Sequence, residues 1–214
     1  MNHRKIFFYL LPIFILTACI NSFAQEDVIT KEQIALIDVA KLNPSIILDI
    51  RYATTNNFTG KIVYPEARCF LVSDAAYALD SVQKDLQKIG LGLKVFDGYR
   101  PLSVQKKFWE IMPDERYVAD PKKGSRHNRG MAIDLTLVDS KGNELEMPSE
   151  YDDFSEKAHR DYVNTSEASM VNRKILEDVM VKYGFVPFAT EWWHFDFKGW
   201  EDYGVMDVDF KDIK

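Results

Sequence analysis

Ser125-Arg126-His127-Asn128-Arg129-Gly130-Met131-Ala132-Ile133-Asp134 is the stretch on which the reading of this chain turns. From Met131 to Val138 the residues alternate with the period of a strand. Met131, Ile133, Leu135 and Leu137 share one side, and Ala132, Asp134 and Thr136 share the other. Asp134 therefore points away from the apolar side with only small neighbours, as a ligand strand approaching an ion does. Gly130 permits a turn between His127 and that strand.

Outward from this strand, helices and strands are interspersed. Ser45 to Tyr52 is rich in β-branched residues and predicts a strand. Ser73 or Asp74 caps a helix running to about Ile89. Leu79, Val82, Leu86 and Ile89 form its stripe, and Gly90 stops it. Leu91 to Phe96 reads as a short strand leading into Asp97-Gly98-Tyr99-Arg100-Pro101. Further helices are expected over 102–111 and about 166–183, the last stopped by Gly184. Trp192 to Phe197 reads as a final strand. No repeat or Pro/Gly/Ser-rich linker divides the chain. The pattern predicts an α+β fold: one compact domain with a small central antiparallel sheet flanked by helices.

The first 24 residues stand apart. His3, Arg4 and Lys5 precede an apolar stretch from Ile6 to Leu16, and Ser22-Phe23-Ala24 offers small residues for cleavage. This is the order of a secretory signal peptide, too short in its apolar part for a membrane span. Cleavage after Ala24 leaves 25–214 as the functional domain. Leu16-Thr17-Ala18-Cys19 is a competing lipoprotein box, which would anchor the chain by lipid at Cys19. The product is exported, either periplasmic or held to the membrane by that lipid. Neither reading leaves a transmembrane span in the mature chain.

Of the 214 residues, 46% are hydrophobic and 28% charged, the balance of a folded globular protein. The net charge is -6, and loss of Arg4 and Lys5 leaves 25 basic residues against 33 acidic, or -8. That argues against a nucleic-acid partner, which requires a basic footprint. With Cys19 removed or modified, Cys69 is the one remaining thiol. It is either a nucleophile or a small buried apolar residue, the commoner fate of free cysteine.

The mature chain keeps three histidines, His127, His159 and His194. His194 closes Glu191-Trp192-Trp193-His194. In a strict strand Glu191 and His194 face opposite sides; in a helical turn they converge, and the spacing alone does not decide. His127, Asp134 and His194 make a three-ligand set for zinc that leaves a fourth position for water. Glu191 is then placed to take that water's proton. The competing reading makes both histidines structural, because these patterns are short. Tyr52, Phe58, Trp192 and Trp193 either line a compact pocket or pack in the core.

Taken together, these segments resemble the D-alanyl-D-alanine dipeptidases, the VanX type within the zinc D,D-peptidase superfamily. Ser125, His127, Gly130 and Asp134 match the family's Ser-x-His-x-x-Gly-x-x-x-Asp pattern, and Glu191 and His194 its Glu-x-x-His pattern. Asp97 to Pro101 and Asp49 to Gly60 supply two more blocks, and the resemblance covers roughly residues 45–200. It implies one zinc per chain on His127, Asp134 and His194, with Glu191 as general base and then proton donor. It also implies Arg100 as the oxyanion partner, a role suited to a guanidinium that cannot lose its charge. For the D,D-dipeptide substrate, Asp152 would meet the ammonium and Ser125 the carboxylate, with Tyr52 and Phe58 lining the pocket. The sequence departs from the family near Asp152, where Pro148 follows Met147 in place of a glycine. His159 is either a group orienting a ligand or a surface residue.

The expected activity is hydrolysis of D-Ala-D-Ala to two D-Ala. The alternative is a D,D- or L,D-carboxypeptidase that trims longer peptidoglycan stem peptides with the same zinc site. A catalytically dead wall-binding module would have lost the base or a ligand, and Glu191, His127, Asp134 and His194 are all present.

Overall fold

Apart from Met1, the computed structural model describes residues 35–213. The remainder of the expected export segment, Cys19 included, lies outside the described residues. Among the described residues, no helix is long and apolar enough to cross a membrane.

The described residues open with strand β1 (Leu36–Asp38), a short helix α1 (Val39–Leu42) and strand β2 (Ile47–Leu48). A 3-10 turn at Arg51–Ala53 follows, and then β3 (Phe70–Val72) runs directly into α2 (Ser73–Gln87). Strand β4 (Leu91–Asp97), helix α3 (Leu102–Ile111) and strand β5 (Ala132–Asp139) form the middle of the chain. Helix α4 (Glu167–Lys182), β6 (Phe185–Pro187) and β7 (His194–Phe197) complete it. Ser166 caps α4 by accepting from the Ser169 N–H, whereas α2 starts without a side-chain cap.

Five strands make the main sheet in the order β2-β4-β5-β7-β6, and β1 pairs with β3 apart from it. The sheet is mixed, which corrects the antiparallel expectation. β2 lies parallel to β4, while the other neighbours are antiparallel. The reason is connectivity. The return from β2 to β4 passes through α2, and a crossover of that length delivers the next strand in the same direction. The expected strand over Ser45–Tyr52 shrinks to Ile47–Leu48, because the chain turns at Arg51 and buries Tyr52.

β5 lies between β4 and β7, so both its edges are hydrogen-bonded, and all but its last residue are buried. Directly paired residues share a face. Leu135 and Leu137 stand opposite Val95 and Leu93, and Ile133 opposite Phe195. They share one core with Leu79, Val82 and Leu86 of α2 and Leu176 and Met180 of α4. Asp134 stands opposite His194 and, across a register shift, Asp97. The alternation that buries the apolar residues thus gathers three polar ones on the other face.

Candidate active site

His127 begins a 3-10 turn, His127–Arg129, that Gly130 ends at φ 67. Asn128, fully buried, ties the turn down on both sides. Its amide accepts from the Ser125 N–H at 2.7 Å and donates to the Arg100 carbonyl at 2.8 Å. The Arg100 N–H in turn donates to the His127 carbonyl at 3.0 Å. The Asp97–Pro101 segment and the His127 turn therefore move as one piece.

Glu191 and His194 converge because the chain between β6 and β7 turns. The His194 N–H reaches the Glu191 carbonyl at 3.4 Å, closing a turn around the two tryptophans. Arg160 pins this turn at both ends, donating to the Phe188 and His194 carbonyls at 2.8 Å each. Trp193 faces the pocket, whereas buried Trp192 donates its indole N–H to Ser149 Oγ at 3.0 Å.

Three donor atoms meet at the centre. His127 Nε2 lies 3.2 Å from His194 Nδ1 and 3.4 Å from Asp134 Oδ1, and His194 Nδ1 lies 2.9 Å from Asp134 Oδ1. The far side of each group is occupied. His127 Nδ1 donates to the Gly98 carbonyl at 2.8 Å, His194 Nε2 to Asp196 at 2.9 Å, and Tyr151 donates to Asp134 Oδ2 at 3.0 Å. These outer bonds orient both imidazoles and leave a lone pair of each facing Asp134. Three lone pairs at such distances need a positive charge between them. Against the burial that opposes a charge there, Asp134 and Asp196 raise the His194 pKa to about 10. A bound cation satisfies the same demand, and two imidazoles with one carboxylate suit zinc.

Glu191 Oε2 is 3.7 Å from His194 Nδ1. Burial, opposed by His194, raises its carboxyl above the usual range. Arg100 lies over Phe108 and Tyr52 and donates to Asp97 Oδ2 at 2.6 Å and Gln105 Oε1 at 2.9 Å. Asp152 accepts from the Tyr52 hydroxyl at 3.2 Å, and its backbone stands at φ 62. Burial first, and the Asp134 charge second, push its pKa up to about 7.

Ser125, Tyr52 and Phe58 border the same cavity of about 140 Å³, so every expected site residue faces one space. His159 does not join it. It borders a neighbouring cavity, and none of the outer bonds to the ligands comes from it. Cys69 is buried, with its thiol pushed up by burial, and its Sγ would stand 2.5 Å from a Cβ at Gly98. It packs beneath the carbonyl that orients His127. Sequence reasoning missed Tyr151, Asp196, Arg160 and Asn128. Asp196 alone carried a signal, since residues two apart on a strand share a face.

A His-Asp-His centre with a half-buried glutamate beside it in a small cavity defines a zinc metallopeptidase. The pattern of the Peptidase_M15 family, described as D-ala-D-ala dipeptidase, matches residues 32–211. The chain belongs to that family. It is 41% identical over 161 residues to the D-alanyl-D-alanine dipeptidase of Escherichia coli (strain K12), covering 75% of this chain and 83% of that one. To the D-alanyl-D-alanine dipeptidase of Enterococcus faecalis it is 34% identical, covering 69% and 83%. To that of Streptomyces coelicolor it is 33% identical, covering 75% and 90%.

Proposed function

We propose that this chain hydrolyses D-Ala-D-Ala to two D-Ala, with zinc held by His127, Asp134 and His194. The observation that carries the reading is the convergence of these donors and Glu191 in a cavity of about 140 Å³. Such a space is small against the roughly 300–1,000 Å³ that drug-sized ligands occupy. Zinc supplies Lewis acidity, lowering the pKa of water toward about 7 and polarising a carbonyl.

The chain's own residues do the rest. Glu191, made more basic by burial, accepts the proton of the attacking water and returns it to the leaving amine. Arg100 has two N–H groups free after Asp97 and Gln105 are served, and these meet the developing oxyanion. Asp152 takes the substrate ammonium, Ser125 donates to its carboxylate, and Tyr52 and Phe58 exclude water.

The signal-like order of residues 1–24 supports export of this activity, to the periplasm or to a lipid anchor at Cys19. There it scavenges D-Ala from wall turnover, because cytoplasmic precursor is out of reach. Fractionation of cells tests the location, and a cytoplasmic mature protein refutes it. Purified protein should release D-Ala from the dipeptide, lose activity to a chelator and regain it with zinc. Robust turnover by metal-free protein would sink the reading. Preference for a pentapeptide ending in the same pair would turn it toward a stem-peptide carboxypeptidase.

A further inference from the structure

Three arginines border the catalytic cavity, Arg100, Arg116 and Arg126. Arg100 is committed to Asp97 and Gln105. Arg116 is committed to Asp114, to which it donates from Nε at 2.9 Å and Nη2 at 2.5 Å. Arg126 donates no hydrogen bond to any described residue, and its Nε is buried without a partner. The nearest carboxylate oxygen, Asp196 Oδ2, is 3.5 Å from that Nε. The contact sets the orientation of the guanidinium and leaves its Nη1/Nη2 edge unused. The side chain is 38% exposed, and Trp200, 4.7 Å away, and Phe188, 5.7 Å away, brace its plane.

We infer that Arg126 binds the C-terminal carboxylate of the substrate and makes the enzyme selective for a free acid over a capped end. The inference rests on the dipeptidase reading above. A dipeptide has a cationic and an anionic end, and enclosing either without a partner is costly. Asp152, against Tyr52, answers the cation. Of the cavity's three arginines, Arg100 keeps its two spare N–H groups for the oxyanion and Arg116 is held by Asp114, so the uncommitted Nη1/Nη2 edge belongs to Arg126, and two parallel N–H donors match a carboxylate. Arg126 stands between Ser125, whose hydroxyl hydrogen is free because its oxygen accepts from the His127 N–H at 3.2 Å, and ligand His127. A carboxylate held there lies beside the zinc ligands, which brings the peptide bond toward Glu191.

The test compares D-Ala-D-Ala with its C-terminal amide on zinc-loaded wild type, Arg126→Gln and Arg126→Lys. Loss of a charged hydrogen bond should raise KM for the free acid about 10–100-fold in Arg126→Gln. Its kcat should stay within about threefold and its kinetics on the amide should not change, so the preference for the acid collapses; Arg126→Lys recovers part of it. Equal losses on both substrates would mean that Arg126 acts only through Asp196 and His194, and an unchanged preference would mean that it does not touch the carboxylate; either overturns the inference. Calorimetric binding of the same two ligands to Glu191→Gln, with and without Arg126→Gln, separates this from the dipeptidase reading. Arg126-dependent binding of the acid without wild-type turnover refutes the activity alone. Binding of acid and amide that is indifferent to Arg126 refutes the inference alone, and no binding of either ligand refutes both.

Discussion

The backbone of Asp152 stands at φ 62, alone among the described non-glycine residues in the left-handed region. Aspartate and asparagine tolerate that region better than other side-chain residues. The turn delivers a carboxylate into a space where burial and Asp134 raise its pKa to about 7. In the free enzyme it is therefore protonated below pH 7 and charged above. Only the charged form answers an ammonium, so KM should fall as pH rises from about 6 to 8. In Asp152→Asn this dependence should vanish and KM should rise about 10–100-fold. Stability moves the other way. A raised carboxyl favours the fold fully below its unfolded value near 3.8, and that advantage disappears as pH rises through about 7. Asparagine bears no such loss and keeps the backbone geometry, so the variant should be more stable than wild type by about 2–4 kcal/mol at pH 8 and not at pH 4. Kinetic pH profiles and thermal melts at the two pH values check both halves. A variant with wild-type KM across the range refutes the ammonium role.

At the scale of elements, the small β1–β3 sheet holds up the His127 turn. The Val72 N–H donates to the Gly130 carbonyl at 2.9 Å. A Cβ at Gly130 would stand 2.9 Å from Leu36 Cδ2 and 3.1 Å from Val72 Cγ2, at a φ of 67° that disfavours it. Gly130→Ala should therefore cost about 1–3 kcal/mol and push His127 off its mark, weakening zinc as well as the fold. Thermal melts and zinc titration read the two effects, and wild-type values in both would refute the buttress. This sheet was invisible in the sequence, because three residues are too few to show a period. The longer elements were legible: α2 by its stripe and glycine stop, α4 by the glycine that stops it, and β5 by its alternation. Alternation reports which residues share a face but not which way the neighbouring strand runs, so the parallel β2–β4 pair went unread. It fails at Glu191–His194 for a related reason. The turn there is fixed by Arg160, a residue of another segment.

At the scale of the molecule, the proposed metal ligands come from three places, the His127 turn, β5 and β7. The three residues that converge here, His127, Asp134 and His194, were legible as candidate ligands because the motif spells them out. The bonds that aim them were not, since the Gly98 carbonyl, Tyr151 and Asp196 are met only once the sheet is assembled. Such a centre does not exist in an unfolded chain, so zinc binds the native state and shifts the folding equilibrium by mass action. At free zinc 100-fold above Kd the gain is about 2.7 kcal/mol, or about 5–10 °C in Tm for a domain of this size. The melting temperature should rise with the logarithm of free zinc and fall to a baseline in chelator. Replacing His127 with Ala removes one of three donors and should flatten that dependence, whatever its own effect on the baseline. Replacing Glu191 with Gln should preserve the slope while abolishing turnover, because Glu191 faces the ligands without being one of them. A zinc-independent melting temperature in wild type would refute the site, and a flattened slope in Glu191→Gln would make Glu191 a ligand rather than the base.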